Sequence, residues 1–354
     1  MSLKDLISAS NLSDFYVAQE VPQNIGDRLF PAQKHVGLKL DLIKGANNKA
    51  VALKPSAFDT QASLRDRMAI DLSSEKMPLF REGMLIKEED RQQILMLEQA
   101  GNQTALNAVL QRIYNDQATL LTAARSRYHA MRMQVLATGR LEVVSNGVNL
   151  AFDYGVPEAN QGDVETDWSE ANADPLKDID NAIEKMEELG ITPSGMVLNA
   201  TTYGQIRKAE TTSKAVTGVK SNQATRRQLE EYLTDEYGLN VVIVNGTYND
   251  EHGESHKYFP DGFVTFIPNQ AVGRTNFGTT PEEADLQMGS NNVDVSIVDT
   301  GVAITSETKS NPVNVETIVS MLNLPSFEGA GLVYQLQTDL SETVEADPEP
   351  TEGV

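Results

Sequence analysis

A long amphipathic helical pattern constrains this chain more than any other feature. Large apolar side chains recur at spacings of three and four over residues 106–135, which places them on one face of a helix. The pattern predicts a single helix over 104–138, about 50 Å long at the usual rise per residue. A shorter helical segment, EEDRQQILMLEQ, precedes it, and Gly101–Asn102 separates the two. Residues 88–140 are therefore expected to form the spine of the fold.

The chain ahead of this spine contains little that could form a core of its own. Residues 1–30 have few periodic apolar positions and are expected to form an extended arm. HVGLKLDLI (35–43) alternates apolar and polar residues, KGANNK follows as a turn, and AVALK (50–54) returns, which predicts a β-hairpin. The basic segment VALKPSAFDTQASLRDR (51–67) begins within this return strand and continues beyond it. Because an isolated two-stranded hairpin is marginal in water, this part of the chain needs another surface to lie on.

Behind the spine, the pattern changes to short strands and helices. RLEVVSN and VNLAFDYG flank Asn146–Gly147, a strong signal for a two-residue hairpin turn. An α/β pattern follows, with predicted helices at 176–189, 202–210 and 224–236, predicted strands at GMVLN, 241–248 and 263–268, and predicted loops at 211–222 and 269–292. VDVSIV and GVAITS are two further strands, and VNVETIVSML and GLVYQLQ are expected to form a last antiparallel pair. The acidic end, SETVEADPEPTEGV, is expected to be disordered.

The composition excludes several classes of protein. The 354 residues include no cysteine, so disulfides, thiolate nucleophiles and thiolate metal sites are ruled out. The first residues lack the apolar run of a signal peptide, and no stretch of about 18 apolar residues could span a membrane. With 40% hydrophobic residues, the chain can bury a core. A soluble intracellular protein is expected.

The charge is unevenly placed along the chain. The net charge is −22, yet residues 1–140 carry 18 Lys and Arg against 15 Asp and Glu, whereas residues 141–354 carry 11 against 36. The acidic part repels phosphates, so nucleic-acid binding through a basic face is disfavoured. Two interpretations of the asymmetry stay open. The acidic part is a solvated surface, or it attracts the front part of another copy, because complementary potentials steer association.

The motifs of common enzyme classes are absent. The sequence has no GxxxxGK[ST], no GxGxxG after a strand and no GxSxG. In DEHGESH, His252 and His256 are four residues apart, a spacing that on a helix aims two imidazoles at one metal ion. Here they fall in a Gly- and Asn-flanked turn, which favours a solvated hairpin tip. His129 lies beside the apolar stripe and is expected to be structural. Neither catalysis nor a cofactor nor a metal ion is expected.

Four segments, in their order and spacing, resemble a known family. They are LFPAQKHVGLKLDLIKGANNKAVALKPSAFDTQASLRDR, MPLFREGMLIKEEDRQQ, YFPDGFVTFIPN and NPVNVETIVSMLNLPSFEGAGLVYQLQ, spread over residues 25–338. The chain resembles the capsid proteins of tailed bacteriophages, whose α+β fold also forms the herpesvirus capsid floor, and more narrowly the lambda-type major capsid protein, the phage capsid protein E family. This resemblance implies an N-terminal arm (1–30), an extended hairpin or E-loop (31–87), a P-domain spine helix (88–140), an A-domain with strand connections to the P-domain (141–310), closing P-domain strands (311–340) and the acidic tail (341–354).

The resemblance also implies a function and partners. The chain would assemble with itself, as pentamers and hexamers, into an icosahedral shell that encloses the double-stranded DNA of a tailed phage. A separate scaffold protein, a portal and a decoration protein would be further partners, since the arm is too short to act as a scaffold. The mature protein would reside in the virion after assembly in the host cytoplasm. Contacts between subunits are expected at Lys54, Arg65, Asp66, Arg67 and Arg81.

Two other classes of protein remain open from the residues. A nanocompartment shell shares this fold and encloses cargo enzymes instead of DNA. An acidic α/β ligand-binding or enzymatic domain would account for residues 176–270 alone, and it would leave the first 87 residues without a role.

Overall fold

The structure is a computed structural model that describes residues 8–18, 24–37, 39–44, 71–145, 148–289, 294–310 and 313–340. In these ranges the helices are α1 (Ala9–Val17), α2 (Ile25–Leu29), α3 (Glu88–Gln99), α4 (Gln103–Thr138), α5 (Pro175–Glu188), α6 (Ala200–Lys208), α7 (Glu210–Thr217), α8 (Arg226–Tyr237) and α9 (Pro281–Gln287). The strands are β1 (Ala32–Lys34), β2 (Lys39–Lys44), β3 (Asp71–Lys76), β4 (Leu79–Ile86), β5 (Arg140–Ser145), β6 (Val148–Asp153), β7 (Gln161–Asp163), β8 (Gly195–Leu198), β9 (Asn240–Ile243), β10 (Thr247–Asn249), β11 (Ser255–Lys257), β12 (Phe263–Ile267), β13 (Arg274–Phe277), β14 (Asp294–Val298), β15 (Val302–Ser310), β16 (Val313–Ser326) and β17 (Tyr334–Gln337).

The long helix predicted over 104–138 is confirmed as α4. It starts at Asn102, whose side-chain oxygen accepts a hydrogen bond from the Ala105 backbone N–H at 3.1 Å, and this cap satisfies a donor that the helix cannot use internally. It ends at Gly139, which adopts the left-handed conformation (φ 69°) that favours glycine. The apolar stripe is buried as expected, at Leu106, Leu110, Ile113, Leu120, Leu121, Ala124, Tyr128, Met131 and Val135.

The first sheet packs against α4 and is built around the long strand β16. Strands β4, β16, β15 and β14 lie side by side, and β13 and β1 continue the sheet beside the far end of β16. The register between β4 and β16 runs from Leu322 opposite Leu79 to Val315 opposite Ile86. One strand of 14 residues thus joins a strand from the front of the chain, β4, to strands near its end, β13 and β15.

The second sheet has the strand order β7-β17-β12-β8-β9 and a separate apolar core. Strands β8 and β12 are buried along their whole length. The amphipathic helix α5 begins with Pro175 in its first turn and Asp174 as its N-cap, which is a favourable helix start. Its buried face, with Ile179 and Met186, and that of α8, with Leu229, belong to this core.

Two side chains join the second sheet to the spine. The Thr265 hydroxyl on β12 donates to the Leu136 carbonyl oxygen at 2.8 Å, and the Gln335 side-chain amide on β17 donates to the same oxygen at 2.9 Å. The last carbonyls of a helix have no partner within the helix. The buried end of α4 is therefore satisfied by the second sheet.

The expectation of an extended arm over residues 1–30 is wrong for the residues that the structure describes there. They form α1 and α2. Ala9, Leu12 and Tyr16, spaced three and four apart, are buried in the first core, and the Ser8 hydroxyl caps α1 by accepting from the Asn11 N–H at 3.1 Å. The apolar stripe is only two turns long, so its period is weak in the sequence, and packing on the spine stabilises the helix.

Strand β2 has a partner that the local sequence did not indicate. Strand β2 pairs with β3, from Lys39 opposite Lys76 to Lys44 opposite Asp71. The expected partner, residues 50–54, lies outside the described residues, as does the segment 51–67. The prediction that KGANNK forms a turn and that 50–54 forms the return strand therefore stays a prediction. We call the pair β2–β3 the ribbon.

Two predicted loops contain regular structure. Residues 211–222 include most of α7, which ends at the left-handed Gly218, and tertiary packing here outweighs the low helix propensity of Ser and Thr. Residues 269–292 include β13 and α9, and the start of α9 combines a Thr280 cap with Pro281 in its first turn.

Two strand assignments are corrected as well. The strand predicted over 241–248 is divided between β9 and β10, which belong to different sheets. The expected last pair of strands does not form, because β16 lies in the first sheet and β17 in the second. The hairpin expected around Asn146–Gly147 is confirmed in its strands, β5 and β6, which pair from Arg140 opposite Asp153 to Ser145 opposite Val148.

Candidate functional site

The residues expected to contact other subunits fall into two groups. Lys54, Arg65, Asp66 and Arg67 lie outside the described residues. Arg81 lies on β4, where its guanidinium pairs with the Glu282 carboxylate, and the other oxygen of Glu282 accepts from the Ser320 hydroxyl at 2.8 Å. Arg81 therefore has a partner within its own chain, and its contact with a neighbour stays a prediction.

The ribbon is attached to the first sheet through its base. Among the described strands, β2 and β3 pair only with each other. Met77, directly after β3, is buried, and its methyl group lies beside Gly278. A Cβ added at Gly278 would come within 2.7 Å of that methyl group and 3.0 Å of the Gly37 carbonyl oxygen. Glycine is therefore needed at position 278 for this close approach.

Two ion pairs hold the strands on either side of the ribbon. Lys34, on β1 before the ribbon, pairs with Glu283 and donates to the Gly278 carbonyl at 3.0 Å. Arg81, on β4 after the ribbon, pairs with Glu282. Both carboxylates lie in the first turn of α9, where the helix dipole favours negative charge. Helix α9 therefore holds the strands that precede and follow the ribbon, and we call these two pairs the ribbon clamp.

A buried arginine ties α2 to the spine. Arg132 on α4 is 1% exposed, and its guanidinium donates to the Asp27 carboxylate at 2.9 Å. The Tyr128 ring lies 4.9 Å from the guanidinium carbon, a cation–π distance. A buried charge is tolerated only when it is paired, so Asp27 is what makes this arginine acceptable in the core.

A second arginine joins α1, the spine and the turn between β14 and β15. Arg125 makes a two-point contact with Asp299 at 2.8 and 2.6 Å, and it stacks on the Tyr16 ring of α1 at 5.0 Å. Burial alone would lower the pKa of Arg125, but the hydrogen bond and charge of Asp299 outweigh it and raise that pKa. The guanidinium is therefore held charged, and both N-terminal helices are docked through arginines of α4.

His129 has the environment of a packing residue. Its ring lies 4.6 Å from the Tyr258 ring, and the Tyr258 hydroxyl is 2.7 Å from the Ser126 hydroxyl on α4. Burial, aided by the charge of Arg132 and partly offset by Asp27, lowers the pKa of His129 to about 4. His129 is consequently neutral near pH 7 and belongs to the contact between α4 and the hairpin β10–β11.

The tip of the hairpin β10–β11 contains a group with metal-ligand chemistry. Ligand atoms of Asp250, Glu254 and His256 lie within 4.8 Å of one another. The hydrogen bond from His256, at 3.1 Å, is the largest influence that lowers the pKa of Asp250. His252, the other histidine of the predicted pair, lies instead beside Glu251 at 3.6 Å. Glu254 and His256 are exposed and Asp250 is half-buried, and the Asp250 carboxylate accepts from the backbone N–H groups of His252 and Glu254, as in a polar turn.

Sequence reasoning missed the ribbon clamp and the docking of α1 and α2. The clamp had a local signal, because TPEE at 280–283 combines a helix cap, a proline and two first-turn acids. The pairing of Asp27 with Arg132 had no local signal, since the two residues are 105 positions apart.

None of the helices within the described ranges combines the length and the apolar character that a membrane span requires.

Comparisons with known proteins agree with this architecture. The family model for phage major capsid protein E matches residues 12–338. A putative capsid protein of a prophage in E. coli CFT073 is similar in structure, with a TM-score of 0.57, 12% identity and coverage of 94% of this chain and 99% of that one. A phage-related protein from Bordetella bronchiseptica RB50 is similar too, with a TM-score of 0.56, 13% identity and coverage of 94% and 97%. No curated protein matches the chain.

The two structural likenesses concern the fold, and the family match concerns the sequence itself. The matched range begins in α1, includes the ribbon and the spine, and ends just after β17. It therefore contains nearly every element described above, in the tailed-phage capsid fold. This chain belongs to the phage major capsid protein E family and is a shell-forming major capsid protein.

Proposed function

We propose that the chain forms the pentamers and hexamers of an icosahedral shell that encloses packaged double-stranded DNA of a tailed phage. The observation that carries this proposal is the ribbon, which the clamp holds at its base and which pairs with no other strand among the described residues. A two-stranded ribbon alone is marginal in water. A neighbouring subunit is the partner that would bury it in every copy of a closed shell.

The proposed division of the chain follows the family resemblance with two changes, because β1, β4, β13, β14 and β15 join the P-domain and β17 joins the A-domain. The ribbon, within residues 31–87, serves as the E-loop that reaches across a neighbour. The spine and the first sheet serve as the P-domain. The second sheet and its helices, within 141–310 together with β17, serve as the A-domain. The compact, separately buried core of the second sheet supports this division.

Partners follow from the same proposal. A separate scaffold protein directs assembly, a portal occupies one vertex, and a decoration protein can reinforce the shell. Assembly takes place in the host cytoplasm, and the mature protein resides in the virion. The acidic excess of residues 141–354 supports a shell lining that repels packaged DNA, because like charges repel at close approach. The protein acts by assembling and catalyses no reaction.

Purified protein tests the proposal directly. Size-exclusion chromatography and electron microscopy should reveal closed shells or capsomer rings, and the 38.7 kDa monomer should be a minor species. Shells isolated after phage infection should contain nuclease-protected double-stranded DNA. A monomer at all concentrations and scaffold levels would contradict the proposal. Shells that contain an enzyme as cargo and no DNA would instead indicate a nanocompartment.

A further inference from the structure

Strand β4 is an edge strand of the first sheet. Its eight residues pair with β16 on one side. On the other side, no described strand pairs with it. The unpaired N–H and C=O groups of an edge strand are a template for another strand, so this edge is a place where a second chain can add to the sheet.

The opposite edge, at β14, is treated differently. Helix α1 packs there, and the Ala9 backbone N–H donates to the Asp294 carboxylate at 2.8 Å. The edge strand β14 is therefore in contact with a helix of its own chain, whereas no described strand pairs with the free side of β4.

The side chains of β4 fit the same conclusion. Five of its eight residues are exposed, among them Leu79 at 44% and Leu85 at 47%. Natural edge strands are protected by proline, by short length or by charged side chains. Here Arg81 is already engaged by Glu282, which leaves Glu82 as the exposed charge of the strand. Two leucines on the same face of a strand therefore remain open to solvent.

We propose that β4 pairs antiparallel with β4 of a second copy, about a twofold axis that passes beside Glu82. Successive side chains of a strand alternate between faces, and in this register each pair of opposed residues shares a face. Leu79 lies opposite Leu85 of the second copy, and Phe80 lies opposite Met84 of the second copy. A twofold contact of this kind is self-complementary, so one segment supplies both sides of the interface.

Pairing in this register has three physical consequences. The two Leu79–Leu85 contacts remove all four exposed leucines of the pair from water. The two free edges satisfy each other along the backbone, as in other cases of strand addition. The two Glu82 side chains meet at the axis, where like charges directly opposite each other are unfavourable, so the pairing is weaker than its apolar contacts alone would make it.

This inference rests on the proposed function, because it describes one contact between subunits of the shell. The chain contains no cysteine, which allows a direct test. In wild-type background, Glu82→Cys places two thiols opposite each other, with Cα atoms about 4.5–5.5 Å apart, within the range for a disulfide. Mild oxidation of assembled protein should yield a covalent dimer on a non-reducing gel. Glu231→Cys, at an exposed position on α8, is the matched control and should stay monomeric.

A second pair of variants tests the register. Leu79→Cys and Leu85→Cys chains with tags of different length should form mixed dimers when they are assembled together. Each should form few dimers when assembled alone. Glu82→Gln should lower the protein concentration needed for assembly several-fold, since it removes the repulsion at the axis.

The outcomes separate this inference from the proposed function. Wild-type shells, together with Glu82→Cys cross-linking no faster than the control, would overturn the edge pairing and leave the shell function intact. Glu82→Cys dimers in a protein that never forms shells would support the edge pairing and contradict the shell function. Dimers of Leu79→Cys alone and of Leu85→Cys alone, with no mixed dimer when the two are assembled together, would overturn the register.

Discussion

The ribbon and the second sheet represent two ways of stabilising β-structure in one chain. Strands β8 and β12 of the second sheet are buried along their full length and lie under helices of the same chain. The ribbon pairs only with itself among the described strands and is held at its base by charged contacts to α9. The core of the second sheet closes within one subunit, whereas the proposed function has the ribbon bury its surface against another.

Apolar burial and ion pairs stabilise different parts of the subunit. Apolar burial contributes about 25 cal/mol for each Å² removed from water, so it dominates where a core can close. Partly exposed ion pairs contribute far less, yet they fix direction and position. A subunit that must fold alone and then assemble needs both, with the strong contacts inside and the weaker, directional ones at its boundary.

The largest expected effect comes from opening the core of the second sheet. Phe266 on β12 is 0% exposed, and Phe266→Ala should lower the free energy of unfolding by about 3–5 kcal/mol, because the lost apolar contacts leave a cavity. Urea denaturation followed by circular dichroism measures this. Leu85→Ala, at the exposed edge of β4, is the matched control and should change stability by well under about 1 kcal/mol. Equal losses in the two variants would contradict the comparison.

The next effect concerns the arginine buried between α2 and the spine. Asp27→Asn leaves the Arg132 guanidinium buried without its carboxylate and should cost about 2 kcal/mol, less than for a fully buried pair, since Asp27 is 40% exposed. The same denaturation measurement applies. The double variant Asp27→Asn with Arg132→Met should recover part of the loss, because no buried charge remains. A double variant less stable than the single one would argue against this account.

A pH effect of similar size should come from His129. Its pKa is lowered to about 4 in the folded protein, against about 6.5 for an ordinary histidine, so the unfolded chain binds the proton more readily between these values. Stability should be fully present above about pH 6.5 and fall as the pH decreases towards 4, by about 2 kcal/mol between pH 7 and pH 5. Free energies of unfolding at several pH values measure it. In His129→Phe this part of the pH dependence should disappear, and an unchanged slope would contradict the assignment.

Weakening the ribbon clamp should have a smaller effect on stability and a local one on dynamics. Glu282→Gln with Glu283→Gln removes both carboxylates that hold β1 and β4 and should cost about 1 kcal/mol, the upper value for partly exposed pairs. Amide hydrogens of β2 and β3 should exchange faster, while those of β8 and β12 keep their protection. Glu230→Gln with Glu231→Gln, on α8, is the control. Faster exchange in the second sheet would show that the clamp is not local.

The smallest expected effect on the folded subunit comes from changes in the basic segment 51–67. Arg65→Glu with Arg67→Glu should leave the thermal melt unchanged, yet it should reduce or prevent shell formation, because pairs with acidic groups of a neighbour would be lost at every subunit boundary. Wild-type protein in high salt should show a similar defect, since salt screens such pairs. Electron microscopy and light scattering measure shell yield.

A control with the same change of charge makes that prediction specific. Arg226→Glu with Arg227→Glu alters two neighbouring exposed arginines on α8. If both double variants lose shells equally, net charge and not the position of the arginines is responsible. Normal shells in Arg65→Glu with Arg67→Glu would contradict the electrostatic role of the segment.

Most of the elements that could be predicted from the sequence alone are helices. The spine helix, α5 and α8 could be predicted because a helix is specified locally, by an apolar period of 3.6 residues and by caps such as Asn102 and Asp174. The family likeness was readable for a related reason, since it depends on the order and spacing of segments along the chain. Short elements with weak periods, such as α1, were missed.

The pairing of the strands and the ribbon clamp could not be predicted from the sequence and became clear only in the tertiary structure. The ladder between β4 and β16 joins Ile86 to Val315. In the ribbon clamp, the partners of one ion pair are separated by 201 positions in the chain and those of the other by 249 positions. A strand satisfies its backbone with groups from elsewhere in the chain, so its own sequence states that it is a strand but not which neighbour it takes. For the same reason, the sequence did not indicate that β3 pairs with β2, and an expected final pair became two strands in different sheets.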